Sequence, residues 1–343
     1  MAYSDYLKRR IVLSIITLIG LSLLIFSLSR LLPGDPARVA LGEVATEEQI
    51  EALRKELWLD KPLPIQYLKF VYDLLHLRLG LSTLTWRDAW DDIISAFPAT
   101  LELVIVAMIM ASIIGPLLGV ISASKTNKFT VTFIKVFGAI GVAVPRFFLC
   151  ILLQLIFVYW LGFFPMGGRI SSGITVPQIT GLYLLDSIIS LRFDTFIDAL
   201  HHIVLPAISL ALSPIAQLAA LTYEKMVNEL NKDYVLTLKA NKMPKNIILY
   251  KYTLKNAFSA SLTTIGLFFG VFFEAAFSTE IVFQWPGLAR YGARAATRSD
   301  FNAVVGCALI IGVMYSISNF IVDLLYGYIN PRVAKSYGAA KAL

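Results

Sequence analysis

The sequence predicts an all-α integral membrane protein with six transmembrane helices, and two observations carry that prediction. Charged residues make up only 15% of the 343 residues and hydrophobic residues 57%, whereas an ordinary soluble domain carries about 25% charged residues. Six apolar runs are also long enough to cross a membrane, because a hydrocarbon core of ~30 Å takes about 20 helical residues. Helices are expected because backbone groups in lipid must pair within their own segment. The runs lie near 11–32, 101–123, 133–163, 203–223, 257–281 and 303–327.

The first run follows Lys8-Arg9-Arg10 and continues to Leu32 without a small-residue cleavage site. It is too long for the apolar region of a signal peptide, so it predicts an uncleaved anchor with a cytoplasmic N-terminus. Basic residues in the later loops agree with that orientation, since cytoplasmic loops are rich in Lys and Arg. Seven lysines lie between 225 and 255, and further basic residues follow the second and sixth runs. The prediction is a multi-pass protein of the cell membrane with both termini in the cytoplasm.

The same orientation places 33–98 outside the membrane, where eleven acidic residues outnumber seven basic ones. Thr46-Glu47-Glu48-Gln49 is typical of a capping box and predicts a helix to about Leu57. A second amphipathic helix is expected near 65–78, and the alternative is a solvated loop without a role in substrate handling. A further external segment, 165–202, is expected to carry an interfacial helix near 181–199. The predicted division is therefore 1–32, 33–98, a core of 99–330 with a cytoplasmic loop near 224–256, and a cytoplasmic tail of 331–343.

Composition and motifs argue against several enzyme classes. No G-x-x-x-x-G-K-[ST] sequence occurs, so an ATP site on this chain is not expected. Cys150 and Cys307 both lie in apolar runs and have no metal-ligand spacing. His76, His201 and His202 are all placed outside the predicted membrane-spanning helices, which argues against an intramembrane hydrolase. No catalytic residue, no metal site and no nucleic-acid partner is predicted.

Short motifs occur in a recognisable order along nearly the whole chain. The motifs are Pro33-Gly34-Asp35-Pro36-Ala37, Leu59-Asp60-Lys61-Pro62-Leu63, Pro98-Ala99-Thr100-Leu101-Glu102-Leu103, His202-Ile203-Val204-Leu205-Pro206-Ala207, Glu280-Ile281-Val282-Phe283 with Trp285-Pro286-Gly287-Leu288, and Asn330-Pro331-Arg332 after Asn319, Asp323 and Tyr326. Together they resemble the B-type permease subunit of dipeptide, oligopeptide and nickel ABC importers, the binding-protein-dependent transport inner-membrane components.

The resemblance implies the type I ABC importer permease architecture and a set of partners. These are a second permease, usually a different chain, two cytoplasmic ATPases that bind ATP and Mg²⁺, and an external solute-binding protein. It implies that this chain binds no cofactor of its own and forms half of the translocation path. Peptides are the family's commonest cargo, while oligosaccharides and nickel stay open.

The resemblance also implies that the loop after the fourth helix contains a short coupling helix that docks onto an ATPase. A docking helix needs polar residues and a few apolar anchors. Lys242 stands where the family has a glycine, so either a left-handed backbone is expected there or the turn differs from the family's. The residues expected to couple to the ATPase are Asp233, Tyr234, Val235, Leu238, Lys239, Ala240, Lys242 and Met243.

Two ionisable residues fall in the middle of predicted helices, Arg146 in the third and Glu274 in the fifth. Such groups in a membrane usually face a partner or a wet cavity. Our hypothesis is that they pair or together line the substrate path, and the alternative is that they face different cavities or a partner subunit. Glu280 is interpreted as structural or gate-lining, and Glu102 as either a motif residue or an interfacial acid.

Two other functional classes stay open at this point. A self-sufficient channel or a secondary transporter predicts a selectivity-filter sequence or an inverted repeat with broken helices. We identify neither pattern in the sequence. Flux of substrate without ATP would favour that class over an ATP-driven importer.

Overall fold

Helices make up most of the part of the chain that the computed structural model describes, which is residues 2–31, 36–41, 45–124 and 128–329. Within these ranges the only extended pairing is an isolated bridge between Leu81 and Asp88. Lys125, the motif at 33–35, Asn330-Pro331-Arg332 and the tail lie outside the described residues. In chain order the helices are α1 (Ala2–Leu31), α2 (Pro36–Leu41), α3 (Glu47–Glu56), α4 (Leu63–Leu75), α5 (Ala89–Ser124), α6 (Lys128–Ala143), α7 (Arg146–Gln154), α8 (Tyr183–Ile189), α9 (Phe193–Leu230), α10 (Asp233–Ala240), α11 (Leu254–Val282), α12 (Leu288–Thr297) and α13 (Phe301–Ile329).

Five of the described helices are long and apolar enough to cross a membrane, namely those containing Leu7–Arg30, Ala89–Ser124, Phe193–Leu230, Ala260–Val282 and Phe301–Val322. The predicted third span is not one straight helix. Val131–Ala143 and Arg146–Trp160 meet at a bend of 107°, and the count is six if this pair is one span. The bend falls at Pro145, because proline lacks an N–H and disfavours helical backbone in the preceding residue.

The centre of the bundle is the packing of α5 against α9, with α11 against both. Gly115 and Gly119 allow this close contact, as their spacing predicts. A Cβ at Gly115 would lie 2.6 Å from Leu218 Cβ, and one at Gly119 would lie 2.6 Å from Thr222 Cβ. The buried core between these helices includes Leu103, Leu210 and Phe272 among its larger side chains.

The segment between the first two spans contains the predicted capping box. Gln49 N donates to Thr46 Oγ1, and Thr46 N donates to Gln49 Oε1, so α3 begins as its sequence indicates. The second predicted helix of this segment is α4, Leu63–Leu75.

Two predictions about the next external segment are wrong. The helix expected near 181–199 is interrupted between α8 and α9, where Leu191 has a φ of 53°. His201 and His202 lie within α9 and not outside the helices. The predicted helix began near 203, where the apolar run begins. The helix α9 begins earlier, at Phe193, and its first turns contain polar residues that the apolar run does not include.

Candidate functional site

The loop after α9 contains a short helix, α10, whose C-terminal turn is a Schellman motif. Lys242 N donates to Lys239 O at 2.9 Å, and Met243 N donates to Leu238 O at 3.1 Å. Lys242 has a φ of 55°, so the left-handed backbone expected at this position is confirmed. The motif usually places glycine here, and a lysine side chain instead points from the turn with its charge exposed.

The contacts of α10 divide its side chains into a face that is buried against the same chain and a face that is exposed. Val235 is fully buried, and α10 packs against the π-helical segment Ile247–Thr253. Tyr234 is half-buried, donates to Glu229 Oε2 at 3.0 Å and accepts from Asn256 Nδ2 at 3.4 Å. Val235 is therefore buried against its own chain, and its coupling to the ATPase stays a prediction.

The exposed apolar side chain of α10 is Leu236, which is 58% exposed and which the sequence analysis did not single out. Val235 and Leu238 are three residues apart and so share a helix face, whereas Leu236 points away from Val235. This helical spacing could have shown from the sequence that Leu236 lies on a different face from Val235. Asp233, Lys239 and Ala240 are exposed, and Leu238 and Met243 are half-buried.

Two lysines connect this loop to the ends of long helices. Lys245 Nζ donates to Ser124 O at 3.3 Å, which satisfies a carbonyl at the C-terminus of α5, where a cation is favourable. Lys232 forms an ion pair with Glu229, and its hydrogen bond to that carboxylate raises the pKa of Lys232. The loop is therefore held to α5 and α9 while most of its lysines stay exposed.

At the opposite end of α5 lies a group of buried polar residues, which we call the carboxylate cluster: Thr100, Glu102, Arg169, Glu280 and Trp285. Thr100 Oγ1 donates to Glu280 Oε1 at 2.5 Å and accepts from Leu288 N at 2.8 Å. Trp285 Nε1 donates to Ala99 O at 2.8 Å. These contacts join α5 to the end of α11 and the start of α12.

Glu280 lies fully buried at the N-terminus of α12 and accepts from Arg290 N at 2.9 Å. A carboxylate there satisfies unpaired N–H groups and interacts favourably with the helix dipole. Gly287, the N-cap, has extended backbone, which does not require glycine. It is needed for space, because a Cβ at Gly287 would lie 2.3 Å from Glu280 Oε1. These contacts support the structural interpretation of Glu280, and its role at a gate stays a prediction.

Glu102 is buried among groups of its own chain, and its alternative interpretation as an interfacial acid stays a prediction. Its Oε2 lies 2.6 Å from Arg169 Nη2, and its Oε1 accepts from Leu184 N at 2.7 Å. Arg169 also donates to Gly181 O and lies 3.7 Å from the centre of the Tyr183 ring. The sequence analysis missed Arg169, since a lone arginine in an external segment carries no local sign of burial.

Arg146 and Glu274 do not meet in this chain. Arg146 is the first residue of α7, directly after the bend, and not in the middle of a straight helix. Glu274 lies within α11 on an exposed face. Among the ion pairs of the described residues none joins the two, so the pairing is not formed within one chain, and lining of the path stays a prediction.

The described chain is thus a helical bundle of five candidate spans, or six if the bent pair is one span, with a short helix in a lysine-rich loop. Residues 115–335 match the family described as binding-protein-dependent transport system inner membrane component, and residues 3–104 match its N-terminal family. The chain belongs to this family and is a multi-pass permease subunit of an ATP-binding-cassette importer.

Relatives match over nearly the whole length of the chain. A probable D,D-dipeptide transport system permease protein of Escherichia coli is 34% identical over 98% of this chain and all of its own length. A dipeptide transport system permease protein of Alkalihalophilus pseudofirmus is 37% identical over 96% of this chain and 98% of its own. A di/tripeptide transport system permease protein of Pseudomonas aeruginosa is 37% identical, with the same coverage.

Proposed function

We propose that this chain forms half of the path by which short peptides are imported. The observation that carries the proposal is the full-length similarity to permeases whose names specify dipeptides or di- and tripeptides. Oligosaccharides and nickel are the alternative cargoes. An external solute-binding protein delivers the peptide, and a second permease, usually a different chain, completes the path.

We further propose that α10 is the docking helix for a cytoplasmic ATPase. Its exposed Leu236 offers an apolar anchor, and its exposed Lys239 offers positive charge together with Lys242 in the turn after it. Val235 and Tyr234 hold the helix on its own chain. Two partner ATPases bind ATP and Mg²⁺, and this chain contributes no catalytic residue. The lysine-rich loop supports an orientation with α10 and both termini in the cytoplasm.

Docking at α10 is tested by replacing Leu236 with aspartate in the tagged chain and purifying it from its own membrane in mild detergent. We expect the ATPases to be lost from the purified complex while the second permease stays. The control is Leu68→Asp, an equally drastic change at an exposed leucine of α4 on the opposite predicted side. Equal recovery of ATPases with both variants would contradict docking at α10.

Cargo is tested with the complete complex in vesicles, with the co-purified binding protein and ATP. We expect ATP-dependent uptake of a labelled dipeptide and none of a maltooligosaccharide or Ni²⁺. Uptake of either of the latter alone would replace peptide as the cargo. Dipeptide flux through this chain alone, without ATP, would instead favour a channel or secondary transporter.

A further inference from the structure

A cavity of about 330 Å³ lies apart from both the α10 loop and the carboxylate cluster. Its walls come from the end of α1, from α4 and the turn before it, from the segment before α5, and from the start of α13. This volume falls within the roughly 300–1,000 Å³ of small-molecule sites. The carboxylate cluster and α10 contribute no residue to the described lining, so the cavity is separate from both of these sites.

The charged groups that line the cavity leave two cations without an acidic partner. Arg30, Lys69 and Arg78 line it together with Asp73 and Asp300. Lys69 Nζ is bound to Asp73 Oδ1 at 2.5 Å. Asp300 is satisfied by Ser82, Leu84 N and Ala303 N. In the described part of the chain, Arg30 and Arg78 take part in no ion pair, and the lining therefore favours an anion.

Several buried polar atoms in the cavity walls have no hydrogen-bond partner. Within the described ranges four buried side-chain atoms have no hydrogen-bond partner, and three of them belong to lining residues: Arg30 Nε, Gln66 Oε1 and Thr83 Oγ1. Gln66 is buried and uses its amide nitrogen on Leu59 O and Lys61 O, which leaves its oxygen without a donor. Buried polar groups in native proteins nearly always have a partner, so this grouping points to a bound molecule.

We propose that this cavity binds a phosphate group that carries a neighbouring hydroxyl or ammonium group. Guanidinium groups bind phosphate through paired charge-assisted hydrogen bonds, which suits Arg30 and Arg78. The Thr83 hydroxyl adds a donor, and the neighbouring hydroxyl or ammonium group donates to Gln66 Oε1. Arg30 is the last residue of the first candidate span, so the cavity lies at the edge of the membrane, where lipid phosphates also lie. The phosphate comes from a lipid headgroup or from a free phosphate compound.

The test uses the full chain, purified in detergent with the subunits it retains. Phospholipid that remains after extensive washing is quantified per chain, and thermal unfolding is followed with added phosphatidylglycerol, phosphatidylethanolamine or inorganic phosphate. The variants are Arg30→Gln, Arg78→Gln and Thr83→Val. Arg38→Gln is the control, since Arg38 is an external arginine paired with Glu47 away from the cavity.

We expect the wild type and Arg38→Gln to be stabilised by the ligand, and the cavity variants to need about tenfold more of it or to lose the effect. Stabilisation by the lipids but not by inorganic phosphate identifies the headgroup, and the reverse identifies a free phosphate compound. Arg78 is exposed, so Arg78→Gln keeps the test valid if Arg30→Gln does not fold. Equal responses of the cavity variants and the control, no response to any phosphate, or a response only to a carboxylate such as succinate would overturn the proposal.

Discussion

The two ends of α5 differ in how their polar groups are held. At one end the carboxylate cluster is buried, and its contacts join residues far apart in the chain, such as Thr100 with Glu280 and Glu102 with Arg169. At the other end, about 36 Å away at ~1.5 Å per residue, the α10 loop is exposed and most of its contacts are local, such as Tyr234 with Glu229. The first arrangement suits a rigid junction, and the second suits a surface that a partner covers.

The largest effect on stability is expected at the buried ion pair between Glu102 and Arg169. Arg169→Met should destabilise the protein by about 3–5 kcal/mol, because it leaves the buried carboxyl group of Glu102 without its partner. The double variant Glu102→Leu with Arg169→Met should recover much of that loss, since no charge is then left unpaired. The measurement is thermal or denaturant unfolding of the purified protein.

The control for this prediction is Arg192→Met, which breaks an exposed pair with Asp194 in the same external region. Exposed pairs contribute at most about 1 kcal/mol. If Arg169→Met and Arg192→Met had the same effect, the cluster would not be the rigid junction that we describe.

Gly287→Ala should give the next largest effect. The added methyl group would lie 2.3 Å from Glu280 Oε1, and overpacking of this kind costs about 1–3 kcal/mol. Gly20→Ala is the matched control, because no atom lies within 4 Å of a Cβ there. Unfolding of the two variants measures the difference, and a neutral Gly287→Ala would contradict the tight packing around Glu280.

A smaller, pH-dependent effect is expected at Asp186, near the cluster. Burial raises the pKa of Asp186, but hydrogen bonds from Thr180, from Ile179 N and from Gly181 N outweigh it and lower the pKa overall. A lowered folded-state pKa stabilises the protein above the ordinary value of about 3.9, and this contribution is lost as pH falls through the lower value.

Wild type should therefore be more stable than Asp186→Asn at neutral pH, and the gap should close as the pH falls below about 4. Unfolding of both proteins at several pH values measures this. A gap that does not depend on pH would mean that the charge of Asp186 is not what holds the 179–181 turn.

The smallest effect is expected in the α10 loop. Lys242→Gly should be neutral or stabilise the protein by up to about 1 kcal/mol, because a left-handed backbone at φ 55° is unfavourable for lysine and not for glycine. Lys242→Val should destabilise, since a β-branched side chain is the least suited to this region. Limited proteolysis of the loop gives a local readout, and greater cleavage of Lys242→Gly than of Lys242→Val would contradict the expectation.

Features that depend on neighbours in sequence were predictable. Five of the spans follow from the length of apolar runs, α3 from the Thr46 to Gln49 capping box, and the left-handed Lys242 from its position where the resembled family has a glycine. In each case a few adjacent residues decide the local conformation, so the sequence carries the information directly. The same holds for Glu274, whose place inside a helix needed only the apolar run around it.

Features that depend on packing needed the tertiary structure. Only the fold shows that Val235 faces its own chain, that Arg169 reaches Glu102 across 67 positions, or that Arg146 begins a helix after a 107° bend. The physical reason is that burial and pairing of a side chain depend on which distant segment covers it. By itself the sequence determined a helical membrane protein with an exposed basic loop, and the tertiary structure decided which of its polar groups are buried and which stay open to partners.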